Sequence, residues 1–132
     1  MEHQENRFGK FEPTKSELEI LQVLWEYGPS TVRFVNDKLS ENREIKYTST
    51  LKLMQIMVDK SILKRDQSHM THVYHVAEAE EKTKRFLLQR FVDSIYKGSA
   101  TNLVLQLLGN SSTSVKEREE IKALLKKLDQ QK

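Results

Sequence analysis

The 132-residue chain is long enough for one domain with an appendage and a buried core, and its 37% apolar and 31% charged residues exclude a disordered or membrane-embedded protein. It contains no cysteine, which excludes disulfides, thiolate metal sites and a cysteine nucleophile. The 22 Lys and Arg exceed the 19 Asp and Glu too slightly to identify a partner.

Where the charges lie says more. From Met1 to Asn42 five cations oppose eight acids, whereas from Arg43 to Arg65 six cations oppose two acids. A local basic segment is what phosphate binding needs, because counterion release scales with the contacts made and not with total charge. A solvated charge run is the plain alternative. No apolar run reaches the length of a membrane span, and the polar start at Met1–Asn6 lacks the apolar segment of a signal peptide, so a cytoplasmic home is expected.

In chain order, the first ten or so residues are polar and expected to fray. Thr14 and Glu17 have capping-box spacing, which predicts a first helix burying Leu18, Leu21, Leu24 and Trp25 and ending at Gly28-Pro29. Ser30 is placed to cap a second helix carrying Val32, Val35 and Leu39, which stops in the polar Ser40–Glu44 loop. The third helix follows Ile45. Its apolar positions Leu51, Met54 and Val58 fall at i, i+3 and i+7 with Met57 beside them, and the opposite face carries Thr48, Ser49, Lys52 and Gln55. Ile62–Arg65 and Val73–Val76 are short β-prone runs around Asp66–Thr71, the pattern of a hairpin. Three helices followed by a hairpin is the winged helix-turn-helix order, so the fold class expected is mainly α with a small β-hairpin.

Short hydrogen-bonding side chains with one cation can reach base edges and phosphates in a major groove at little desolvation cost. The candidate DNA contacts are therefore Arg43, Lys46, Tyr47, Thr48, Ser49, Lys52 and Gln55 on and before the third helix, with Lys64, Arg65, His69 and His72 on the wing. The helix alone is equally consistent with an ordinary solvated face, and Tyr47 with packing of the helix start. His69, His72 and His75 recur every three residues, but in a hairpin His72 and His75 point to opposite faces, so no metal site is expected. No phosphate loop, nucleophile elbow or zinc-protease helix is present, and no catalytic acid, base or nucleophile set converges, so neither an enzyme nor a cofactor is expected.

The remainder differs in character. Glu78 to Lys97 predicts a long helix whose apolar stripe is too wide for one small domain to cover. Gly98 interrupts it, Asn102–Leu108 is nearly all apolar, and Gly109–Thr113 breaks the chain again. Ser114 and Glu117 open a last helix with a second capping box, and Lys126 and Lys127 suit the dipole at its end. The excess apolar surface predicts a second copy of the chain against Phe86, Phe91, Ile95, Leu103, Leu105, Leu107, Leu108, Ile121, Leu124, Leu125 and Leu128. Packing of these helices on the first domain is the alternative. The expected division is a winged-helix DNA-binding domain over residues 1–77 and a helical dimerisation domain over 78–132.

The segments Glu17–Trp25, Tyr47–Leu51, Val73–Val76, Tyr96–Ser99 and Asn102–Leu105 together resemble the penicillinase-repressor family, which includes the repressors of β-lactamase and methicillin-resistance genes and copper-responsive relatives. The resemblance runs through nearly the whole chain. It implies that the first domain binds a palindromic operator in double-stranded DNA and that the C-terminal helices dimerise. It further implies that a membrane-bound sensor of β-lactam triggers proteolysis in the C-terminal domain, which ends repression. Ile56 stands where such repressors usually have Arg, and Gln106-Leu107, the position of possible cleavage, stands where the cut bond is typically Asn-Phe. The cysteines of the copper branch are absent, which excludes copper sensing by that chemistry. A winged-helix protein–protein adaptor is the alternative of a different class, since this fold also serves interaction roles.

Overall fold

The computed structural model describes residues 12–68, 70–109 and 114–131. They form six helices and one two-stranded antiparallel sheet, in two compact units, Met1–Phe86 and Leu87–Lys132.

The first unit opens with helix α1 (Lys15–Tyr27). The capping box forms as its spacing requires: Thr14 Oγ1 accepts from the Glu17 amide at 3.3 Å, and Glu17 Oε1 accepts from the Thr14 amide at 2.9 Å. Gly28 ends the helix at φ 83°, a left-handed conformation that glycine adopts without a Cβ penalty, and its N–H returns to the Leu24 carbonyl. Helix α2 (Val32–Leu39) is capped by Thr31, whose Oγ1 accepts from the Phe34 amide at 3.1 Å. Ser30, the expected cap, does something else. Its backbone bridges Tyr74 in both directions and its hydroxyl donates to the Gly28 carbonyl at 2.8 Å. Pairing with a strand keeps Ser30 extended, so the helix starts one residue later.

Helix α3 (Tyr47–Asp59) is followed by a tight turn through Ser61 at φ 63°, then strands β1 (Leu63–Asp66) and β2 (Val73–Val76). The register pairs Leu63 with Val76, Lys64 with His75, Arg65 with Tyr74 and Asp66 with Val73. Through the Ser30 bridge the hairpin is stitched to the α1–α2 turn, so the wing has a fixed root.

The core joins Ile20, Leu21, Val23 and Leu24 of α1, Val32 and Val35 of α2, Met54 and Met57 of α3, and Ile62, Leu63 and Tyr74 of the hairpin. Leu18 and Trp25, expected inside, sit at its rim, while Ile20 and Val23 are buried. α1 contacts α2, α3 and β2, so its buried arc is wider than one stripe. Glu17 is buried too. Its carboxylate meets Lys60 Nζ at 2.7 Å and joins the start of α1 to the end of α3.

Helix α4 (Glu80–Tyr96) contains the division between the units. Thr83 is buried and Lys84 Nζ lies 5.2 Å from the Trp25 ring centre, so the first turns of α4 belong with the winged-helix unit. In the second unit, Lys97 and Gly98 both take positive φ and turn the chain into helix α5 (Ala100–Gly109). Helix α6 (Val115–Gln130) starts with the second capping box, Ser114 and Glu117. Among the described residues, no helix is long and apolar enough to cross a membrane.

Candidate nucleic-acid interface

The surface opposite the core on α3 is built by helical spacing. Thr50, Met54 and Met57 point inward, which leaves Thr48, Ser49, Lys52 and Gln55 exposed on the other side. Four of the predicted contacts thus share one outward face. Ile56 is partly exposed on its flank. At the start of the helix Lys46 and Tyr47 are exposed, and the Arg33 guanidinium of α2 lies 4.5 Å from the centre of the Tyr47 ring. That stacking holds an arginine from the preceding helix beside the start of α3. Spacing within one helix could not reveal it.

Beside this face a cleft of about 230 Å³ runs between α3 and the wing, lined by Tyr47 and Leu51 on one side and Met70, Thr71 and His72 on the other. Met70 is fully exposed at the hairpin tip, and His72 is exposed next to it. His69 lies outside the described residues.

The two wing cations part company. Alternation sends Lys64 to the outer face with His75, while Arg65 shares the inner face with Tyr74 and is half-buried. With its amide oxygen turned to the guanidinium, Gln67 accepts from Arg65 Nη2 at 2.8 Å and Nε at 3.0 Å. Arg43 is also engaged. Its guanidinium forms a fork with Glu19, at 2.9 and 3.4 Å. The hydrogen bond from Arg43 holds the Glu19 carboxyl below its ordinary pKa, against a smaller opposing effect of burial. Lys46, Lys52 and Lys64 are the predicted cations left on the exposed surface without such a fork.

A buried polar set supports this face. Asn36 Nδ2 donates to the Ile45 carbonyl at 3.0 Å and to Thr50 Oγ1 at 2.8 Å, and Ser40 Oγ donates to the same carbonyl at 3.2 Å. Asn36 and Thr50 carry no local motif, and the capping-box role of Glu17 does not disclose its buried pairing with Lys60. Their signal was positional: each occupies an inward position of its helix, where a polar side chain must find a partner.

Among the described residues no cluster of three or more His, Asp or Glu is arranged to hold a metal ion. In the second unit, Phe91, Ile95, Leu105, Leu107, Leu124, Leu125 and Leu128 of the predicted dimer surface are exposed, and Leu103, Leu108 and Ile121 are half-buried. Phe86 is half-buried and falls in the first unit. Leu88 and Val115, outside the predicted set, are exposed as well.

The family profile described as penicillinase repressor matches residues 13–127. The methicillin resistance regulatory protein MecI of Mammaliicoccus sciuri is 20% identical over 117 residues, covering 89% of this chain and 95% of that protein. Among solved structures, the transcriptional regulator Tm0710 of Thermotoga maritima superposes with a TM-score of 0.52 at 16% identity, over 95% of this chain and 80% of that one, a likeness of fold. The profile spans both units, from the cap of α1 into α6. This chain therefore belongs to the penicillinase repressor family and is a transcriptional repressor.

Proposed function

We propose that the chain acts as a homodimer on a palindromic operator, with α3 in the major groove and the wing along the flanking backbone. The observation that carries this reading is the outward face of α3, where Thr48, Ser49, Lys52 and Gln55 stand together on a helix fixed by its buried side. Such a face reads base edges, while Lys46, Arg33 and Lys64 around it meet phosphates. The exposed apolar side chains of the second unit support pairing, with Leu105 at 63%, Ile95 at 61% and Leu128 at 60% exposure. Covering them with a second copy offsets the ordering cost of association, and an isologous dimer presents two α3 helices to two half-sites. No cofactor or small-molecule substrate enters this reading.

Release by proteolysis within α5 completes the proposal. Gln106 and Leu107 are exposed on a ten-residue helix, short enough to be marginal without its packing. Cutting there separates α6 from the rest of the apolar surface, and losing several buried leucines shifts a dimer toward monomers. The trigger is a β-lactam signal relayed by a membrane-bound sensor protease system.

The test is salt-titrated binding to the promoter DNA upstream of the chain's own coding region. Operator binding is expected to exceed binding to random duplex by about a thousandfold or more and to weaken steeply with salt. Equal, weak binding to every duplex would instead point to a protein–protein adaptor. In cells given a β-lactam, mass spectrometry should find a fragment ending near Gln106 as repression lifts; derepression with the chain intact through Leu108 rules out this release step.

A further inference from the structure

The loop from Ser40 to Lys46 contains neither glycine nor proline, and Lys46 precedes α3 without a side-chain cap. The starts of α1, α2 and α6 are each held by a Thr or Ser cap. The helix that would read DNA thus has the least locally determined start of these four. What holds it instead is the amide of Asn36, buried in α2. One nitrogen donates both to the Ile45 carbonyl, two residues before α3, and to Thr50 Oγ1 in its first turn. Ser40 gives the Ile45 carbonyl a second donor. Thr50 is fully buried, so its hydroxyl has few other choices.

From this arrangement we infer that Asn36 and Thr50 are positioning residues for sequence discrimination: they set the rotation and starting point of α3, and so the aim of Thr48, Ser49 and Lys52. The inference rests on the DNA-binding reading above. Its physical basis is an asymmetry. A buried hydrogen-bonded pair adds little net stability over an apolar pair of the same shape, yet it tolerates only one geometry. Apolar packing between α2 and α3 would hold the helices together while letting α3 rotate. Base readout depends on placement within a fraction of an ångström, whereas phosphate attraction does not.

The experiment compares the full-length chain with Thr50→Val, Thr50→Ser and the double variant Asn36→Leu/Thr50→Val, measuring operator binding, random-duplex binding, helical content and melting. The double variant and Thr50→Val are expected to stay folded and to lose about tenfold or more of operator affinity, with random-duplex affinity and the salt slope within about twofold of the parent. Thr50→Ser keeps the acceptor and should retain operator affinity within about twofold. Unchanged operator affinity in a folded Thr50→Val variant overturns the inference, as does a parallel loss on both duplexes. Equal damage from Thr50→Ser and Thr50→Val overturns it as well. Unfolding of Thr50→Val would assign the pair to stability alone and also overturn it. If the parent chain itself fails to discriminate, the DNA-binding reading is what fails. Amide exchange at Ser49–Leu51 then still tests the positioning, which requires faster exchange in Thr50→Val and parent-like exchange in Thr50→Ser.

Discussion

Lys52 and Gln55 stand one turn apart on the exposed face of α3, and Lys64 on the outer face of the wing. In the proposed mode of DNA binding they do different work. Replacing Lys52 or Gln55 by Ala is expected to cost about 1–3 kcal/mol on the operator with little change on random duplex, because a lost base contact matters only where the right base is present. Lys64→Ala should weaken both and lower the salt slope by about one. A quantitative binding titration on the two duplexes separates these outcomes, and neutral Lys52 and Gln55 variants would mean that another surface faces the groove. Arg43, a candidate DNA contact, also forms a fork with Glu19 that joins the α2–α3 loop to α1.

At the scale of elements, the orientation of α3 is held at both ends by polar groups inside the unit. Asn36 and Thr50 hold its start, and Lys60, just past its end, reaches the buried Glu17 of α1. Glu17 also completes the capping box of α1, so one carboxylate ties the beginning of one helix to the end of another. Lys60→Met would strand that carboxylate in the interior. The expected loss is about 3 kcal/mol in urea unfolding, and adding Glu17→Gln should recover part of it by removing the buried charge. A Lys60→Met loss below about 1 kcal/mol would show that the pair is solvated and replaceable.

At the scale of the whole chain, the division between units at Phe86 makes a testable statement about truncation. A chain ending at Ala77 lacks the buried Thr83 and also Lys84, whose Nζ lies over the Trp25 ring, whereas one ending at Phe86 keeps both. Trp25 is the single tryptophan, so its fluorescence should be native-like in the longer truncation and shifted toward that of exposed tryptophan in the shorter. Both truncations should sediment as monomers and lose most operator affinity, because linked half-sites share one entropic cost of binding. Leu124→Asp or Leu128→Asp in the full-length chain should do the same, since pairing would bury an unpartnered charge. A full-length chain that is monomeric at micromolar concentration would contradict the dimer.

Most of the architecture is legible in the sequence, because it is written in short-range spacing. The two capping boxes, the apolar periods of α2 and α3, the hairpin and the break at Gly98 follow local patterns, and each forms as its pattern requires, whereas α1 turns Ile20 and Val23 inward and leaves Leu18 and Trp25 at the rim. The outward face of α3 follows from the same arithmetic. What spacing could not supply is partnership between distant segments. Ser30 reads as a helix cap until Tyr74, far along the chain, takes its backbone. Glu17 reads only as the capping-box partner of Thr14 until Lys60 arrives beside it, and Asn36 and Thr50 show no role until they meet each other and the Ile45 carbonyl. Lys64 and Arg65 are neighbours of like charge whose inner and outer sides are assigned when β2 sets the register against Tyr74. Local pattern specifies which faces of an element are apolar, because helix and strand periods are properties of the backbone. Which polar group meets which is settled when elements pack, because a buried donor or acceptor must be satisfied wherever the chain brings a partner within reach.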